Sequence, residues 1–229
     1  MLRKTKGIVL SYIKYRDSSI ICKVFTRELG LRTYVVNGVR SQKSQGKIAL
    51  YQPLSLLDLV VYEREGGNVQ RISEAKLDHA FVRMPFDFYR SGVALFMAEV
   101  LGKAIFEDYQ NEELFDYIDQ KVRVLDGAQL VLAPFPLRFL MELSTYLGIA
   151  PSSAAQFYEE LSVDKASGNY KERLVALTSL REENEFKLSR ALNKALMDDW
   201  LKFYALHMDT FAEIKSLEVL RSLMDRPGN

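Results

Sequence analysis

A small five-stranded β-barrel followed by an all-α domain is the fold class that this sequence predicts, and three observations predict it. The spacing of apolar residues changes from two to between three and four near Ala75. The first part is punctuated by closely spaced turn residues, whereas the remainder offers helix caps and stop signals. Charge changes sign at the same place. Residues 1–76 carry 14 Lys/Arg against 6 Asp/Glu, a net +8, and the rest carries 17 against 24, a net −7. The overall +1 therefore joins a basic piece to an acidic one, an asymmetry that points to a polyanion partner for the first. The domains expected are 1–76 and 77–229.

The strands follow in order. Ile8–Ile13, Ile20–Phe25 and Thr33–Val36 are rich in β-branched and aromatic residues, with turns at Arg16-Asp17-Ser18-Ser19 and Leu29-Gly30. A polar stretch, Asn37 to Lys47, leads to Leu57–Tyr62, the turn Glu65-Gly66-Gly67-Asn68, and Val69–Ile72. Five short strands in about seventy residues fit an OB-fold, and strand count alone fits an SH3-like barrel equally.

In the helical part, Phe86, Tyr89, Val93, Met97, Val100, Leu101 and Ala104 form one stripe. Asn111 is the N-cap expected for the next helix, with Glu112 and Glu113 at the positive end of its dipole and a stop near Asp126-Gly127. Pro134 and Pro136 precede a third helix bearing Leu137, Leu140, Met141, Ser144 and Leu147, which ends at Gly148. Residues 151–185 show no clear period. A last helical region carries Leu188, Leu192, Leu196, Trp200 and Phe203, then Phe211, Ile214, Leu217 and Leu220.

Composition excludes several function classes. Cys22 is the single cysteine, so no intramolecular disulfide forms, and one Cys with two distant His (His79 and His207) cannot close a four-coordinate zinc site. No cofactor or metal is expected. No apolar run approaches the length of a membrane span. Cations precede the short apolar segment Gly7–Ile13, but Ser11 interrupts it and no small-residue cleavage site follows, so it reads as a strand and not a leader. A soluble, cytoplasmic (nucleoid-associated) protein is the expectation. Neither GxxxxGK[ST] nor GxGxxG occurs, and the histidines lack an i, i+4 partner, so a non-enzymatic role is expected. Cys22 alternates with Ile20 and Val24 and reads as a core thiol; Phe86, Tyr89 and Phe96 read as core; Glu182, Glu183 and Glu185 read as a solvated face.

The basic piece carries the candidate site. Between Glu28 and Asp58 there is no acidic residue, while Arg32, Arg40, Lys43 and Lys47 fall there. Gly38–Lys47 combines cations with hydroxyl and amide donors suited to phosphate oxygens, and Lys14 and Arg16 flank the first turn. Arg32, Tyr34 and Val36 share one strand face, which sets a cation beside a ring, as single-strand binding requires. The ordinary alternatives are a merely polar surface loop and a Tyr34 that belongs to the core. In the acidic part Lys187, Arg190 and Lys194 recur at helical spacing beside Leu188, Leu192 and Leu196, as either a docking face or a solvated helix edge.

The order Gly7-Ile8-Val9-Leu10, Tyr15-Arg16-Asp17-Ser18-Ser19-Ile20-Ile21, Phe25-Thr26-Arg27-Glu28-Leu29-Gly30, Asn37-Gly38-Val39-Arg40 and Leu50-Tyr51-Gln52-Pro53-Leu54 resembles the bacterial recombination mediator RecO family. Ile214-Lys215-Ser216-Leu217 with Val219-Leu220, preceded by Tyr204 and His207, is similar to that family's C-terminal signature. The resemblance implies an N-terminal OB-fold on a helical domain and a role in DNA repair and recombination. The implied function is to bind single- and double-stranded DNA, anneal complementary strands, and help load RecA onto DNA coated by single-stranded DNA-binding protein. RecR is the implied partner, and the acidic, apolar-ended tail of single-stranded DNA-binding protein is the implied ligand of the helical domain. Many members carry a four-cysteine zinc module where this chain reads Gly148-Ile149-Ala150-Pro151-Ser152-Ser153, so a zinc-free version is expected here.

Two rival classes remain at this level. One is a non-catalytic protein-interaction adaptor whose barrel does not touch DNA. The other is a nuclease, for which no recognisable carboxylate cluster exists.

Overall fold

The computed structural model describes residues 1–41, 46–63, 69–166, 169–181, 188–211 and 213–224. They form two compact units, Met1–Leu130 and Val131–Asn229. The last strand ends at Leu77, beside the expected boundary at 76/77, and the first compact unit continues through two helices beyond it.

In the first unit β1 (Leu2–Tyr15), β2 (Ser19–Thr26), β3 (Gly30–Val36), β4 (Leu56–Tyr62) and β5 (Gln70–Leu77) close a barrel in the order β1-β2-β3-β5-β4. That order, with β3 and β5 parallel, is the OB topology, and it removes the SH3-like alternative. All five strands fall where the sequence placed them, most with longer ends; the last begins one residue later, at Gln70, and runs on to Leu77.

β1 is long because it serves two partners, β4 along its first half and β2 along its second. Gly7 sits at the changeover, paired with both Thr26 and Leu57. A Cβ there would lie 2.6 Å from a Leu59 methyl and 2.7 Å from one of Val24, so the crossing needs glycine. The barrel is filled by Val9, Ile20, Cys22, Val24, Tyr34, Val36, Leu57, Leu59, Val61 and Ile72. Cys22 is fully buried, and burial pushes its thiol up to about 12, as a core residue and not a nucleophile.

β3 pairs with β5 only at Tyr34↔Gln70 and Val35↔Arg71. The open start of β3 is closed by the segment before the second helix. There the Leu31 N–H donates to the Tyr109 carbonyl (3.2 Å), Asp108 N–H donates to the Leu31 carbonyl (3.1 Å), and the Thr33 hydroxyl donates to Glu107 (2.8 Å).

α1 (Phe88–Ala104) begins at the Asp87 N-cap, which accepts from the Tyr89 and Arg90 N–H groups. Tyr89, Val93, Met97, Val100, Leu101 and Ala104 are buried as their spacing predicts. Phe86 corrects that stripe: it precedes the cap, outside the helix, and stands 83% exposed. α2 (Glu112–Asp126) starts at Asn111, whose side chain accepts from Leu114 N–H at 2.9 Å. At its other end the Asp126 carboxylate accepts from the N–H groups of Val82, Arg83 and Met84 and pairs with His79. Burial pushes this carboxyl up, but those hydrogen bonds outweigh it and hold Asp126 below the usual carboxylate range.

The second unit contains α3 (Phe135–Tyr146), α4 (Ala154–Glu160), α5 (Tyr170–Arg181), α6 (Arg190–His207) and α7 (Ser216–Met224). Residues 151–185 thus hold two helices, α4 and α5. α4 is only two turns long, and α5 alternates apolar and charged residues around its circumference, which blurs the period. Phe157 packs against Trp200 (4.7 Å between ring centroids) and Phe203 (5.0 Å) at the centre of this unit. The Gly148–Ser153 turn is held by side chains of the chain itself. Arg181 donates to the carbonyls of Pro151 (2.8 Å) and Ser152 (3.3 Å), and Ser153 caps α4. Among the described residues, no helix is long and apolar enough to cross a membrane, and no group of three or more His, Cys, Asp or Glu is placed to hold a metal.

Candidate nucleic-acid interface

The barrel's strand register decides which side chains face outward, and on the face formed by β1, β2, β3 and β5 it places two cations, Lys23 and Arg71, that make no ion pair among the described residues. Alternation places Ser11 and Ile13 on β1, Ile21 and Lys23 on β2, and Thr33 and Val35 on β3 outside, while Ile20, Cys22, Tyr34 and Val36 point in. Arg71 of β5 pairs with Val35 and extends this face. The β1–β2 turn lies at one end of it, and the end of β4 at Tyr62 and the start of β5 at Gln70 lie at the other; on OB-folds the loops that join these strand pairs bracket ligand sites.

Lys14 and Arg16 are exposed at the β1–β2 turn, and the Arg16 guanidinium lies over the Tyr15 ring at 5.0 Å. Arg40 is tied to this same turn. Its backbone N–H donates to the Ser18 carbonyl (2.9 Å) and its guanidinium to the carbonyls of Arg16 (3.1 Å) and Ser19 (3.3 Å). Arg40 therefore brings the start of the cationic connection onto the turn, a convergence that spacing alone could not reveal. Lys47 is exposed where a short 3-10 turn (Lys47–Tyr51) begins. Lys43 lies outside the described residues.

Two candidates sit elsewhere. Tyr34 is 1% exposed inside the barrel, so its ring offers no face to a base; this corrects its expected role. Arg32 is engaged with Asp108 and lies 3.9 Å from Glu63, at the sealed edge of β3. Lys23 and Arg71 are the residues that sequence reasoning missed. Both are exposed outward neighbours of buried residues (Cys22 and Val24; Gln70 and Ile72), so the period-two pattern that placed Cys22 inside already places Lys23 outside.

Ion pairing divides the cations of this unit by location. Arg27 pairs with Glu112 and Asp116 at the start of α2 (2.8 Å each), and Asp116 is held below its usual range by that guanidinium. Lys6 pairs with Asp78 (2.9 Å), which also binds Arg123. Burial pushes Asp78 up, yet these two cations outweigh it and lower it. In contrast Lys14, Arg16, Lys23, Lys47 and Arg71 make no ion pair among the described residues. Arg27 and Lys6 are thus neutralised by carboxylates within the fold, whereas Lys23 and Arg71 on the outward face, and Lys14 and Arg16 at the turn beside it, are not; Lys4 and Lys76 on the β1–β4–β5 side also lack an ion pair among the described residues.

In the second unit Arg190 is exposed on the first turn of α6 and Lys194 is half-buried one turn on; Lys187 lies outside the described residues. A separate pocket of about 210 Å³ opens between α3, α5 and α6, where Arg138, Arg181 and Glu142 stand beside Ser144 and Thr145 and the apolar Met141, Leu180 and Trp200.

Comparison with known proteins fits this layout. The family model described as Recombination protein O N terminal matches residues 1–81, and that described as Recombination protein O C terminal matches residues 85–226. The chain is 35% identical over 239 aligned positions to the DNA repair protein RecO of Phocaeicola vulgatus, covering 97% of this chain and 99% of that protein. Against the protein of the same name from Flavobacterium psychrophilum the identity is 31%, with 96% and 98% covered. Against that of Porphyromonas gingivalis it is 26%, with 98% and 100% covered.

Proposed function

The chain belongs to the recombination protein O family of DNA repair proteins, and from that premise we propose that it acts without catalysis, as a DNA-binding mediator in the cytoplasm, associated with the nucleoid. It binds single- and double-stranded DNA through the outward face of the barrel, anneals complementary strands, and with RecR assists RecA loading on DNA coated by single-stranded DNA-binding protein. The observation that carries this reading is the ion-pair division. Lys23 and Arg71 stand on one outward face and Lys14 and Arg16 at the turn beside it, with no carboxylate neutralising them among the described residues, and a nucleic acid bound there would release the counterions condensed on its own phosphates. Arg40 contributes by fixing the turn that presents Arg16, and Lys43 belongs to the same connection.

The tail of single-stranded DNA-binding protein is acidic with an apolar end. The pocket between α3, α5 and α6 sets the Arg138 guanidinium beside an apolar wall of Met141, Leu180 and Trp200 at the scale of a terminal residue, with Glu142 also on its lining and Arg181 shared with the Pro151 and Ser152 carbonyls, and we take it ahead of the α6 edge of Lys187, Arg190 and Lys194. Titrating the labelled tail peptide compares them. Arg138→Ala should weaken it about tenfold, the loss of one charged hydrogen bond. A loss confined to the Lys187/Arg190/Lys194 triple alanine variant would move the site to α6.

RecA filament assembly on single strands already coated with single-stranded DNA-binding protein tests the mediator role. Acceleration that needs both this chain and RecR is expected. Absence of acceleration under conditions where the chain binds the DNA would contradict it.

A further inference from the structure

We propose that an aliphatic row on the outside of the barrel is a base-contact strip that makes this face select unpaired strands over duplex; the inference rests on the DNA-binding reading above. Ile13, Ile21 and Val35 stand side by side through the pairings Ile13↔Ile21 and Ile21↔Val35, and the row continues through Arg71 to Tyr62. Ile13 is 63% exposed and Tyr62 44% exposed, while Ile21 and Val35 between them are half-buried, so the two ends of the row are apolar groups standing in water. Barrel formation does not require them. On β1, β2 and β3 the neighbouring outward positions are Ser11, Lys23 and Thr33, and the interior is filled by residues of the opposite alternation.

Charge names the occupant. Arg71 interrupts the row, Lys23 stands one outward position along, and Arg16 closes the turn at its end, all without a carboxylate partner among the described residues. A strip of this kind therefore lies within a cationic field that attracts a polyanion. Duplex DNA presents phosphates to such cations but keeps its base faces stacked inside, which leaves the aliphatic row wet. An unpaired strand engages both features, its phosphates on the cations and its bases on the apolar side chains. Strands about 4.8 Å apart set Ile13, Ile21 and Val35 across about 10 Å, enough for more than one base.

The experiment uses the full chain carrying Ile13→Ser and Tyr62→Ser, two exposed positions, with thermal denaturation as a check on folding. Affinities for a homopolymeric single strand and for a blunt duplex of equal length are measured over a salt series. Single-strand binding should weaken about tenfold or more, duplex binding less than twofold, and both salt slopes should stay unchanged because the cations remain. If the pair lowers the melting temperature, Val35→Thr, which keeps the β-branched shape, gives the same comparison with a smaller expected loss of about threefold. Equal losses on both DNA forms overturn the strip. So does an unchanged single-strand affinity, which would hand the row to a protein partner. A wild type without salt-dependent DNA binding removes the DNA-binding reading and the strip together, whereas a wild type with it and an unaffected double variant removes the strip alone.

Discussion

Tyr34 places its hydroxyl inside the barrel, where it finds no hydrogen-bond partner among the described residues, and burial pushes its titration upward with Arg32 opposing. An unsatisfied buried hydroxyl costs stability, so Tyr34→Phe should raise the unfolding free energy by up to about 1 kcal/mol in denaturant titration and leave DNA affinity unchanged. A lower stability would show that the hydroxyl makes a favourable interaction inside the barrel after all. Its position was within reach of the sequence: Cys22 reads as core, and the β2–β3 register that pairs Cys22 with Tyr34 puts both on one face. What the alternation of Arg32, Tyr34 and Val36 could not give is which side of the sheet is inside, because that is a property of the partner strand. Asp126 carries a second prediction. Its folded pKa lies below the unfolded value, so its contribution is complete above about pH 4 and is lost as pH falls through the folded pKa. Asp126→Asn should be less stable than wild type at pH 7, and the gap should close on acidification. A gap independent of pH would show that the carboxylate charge does not hold residues 82–84.

Among the elements, the β1–β2 turn is fixed from a distance. Arg40 reads in the sequence as one cation of a phosphate-binding loop, yet its guanidinium is committed to two turn carbonyls twenty or so residues earlier. Arg40→Ala should therefore cost about 1 kcal/mol of stability and speed amide exchange across the turn, effects that a purely electrostatic residue would not produce. The triple change of Arg40, Lys43 and Lys47 to Ala should lower affinity for all sequences alike and flatten the single-strand salt slope by about 1.4 units, near 0.7 for each of Lys43 and Lys47, with Arg40 acting through the turn. Strand and helix positions were legible because their periods are strong and some caps are local, as with Asn111. Phe86 was not, since an apolar residue one step before a cap continues the stripe in sequence while leaving the helix in space.

At the scale of the molecule, the sequence divides by charge at residue 76 and the fold divides by packing at Leu130. The two differ because α1 and α2 belong to the acidic part of the chain yet pack into the unit that holds the barrel, where Glu112, Asp116, Asp119 and Asp126 are spent on cations and backbone donors. Net charge per segment therefore overstates the cations available on the α2 side and correctly signals those on the open face. Elemental analysis of untagged protein should find no tightly held zinc, since one Cys and two His leave no complete ligand set, and one zinc per chain would contradict that. The central claim is that unneutralised cations on the outward barrel face contact DNA phosphates. It is tested most directly by the salt dependence of single-strand affinity for wild type and for a Lys14/Lys23/Arg71 triple alanine variant. A slope about two units shallower in the variant, near 0.7 per lost phosphate contact, is the predicted result. Equal slopes and equal affinities would contradict it.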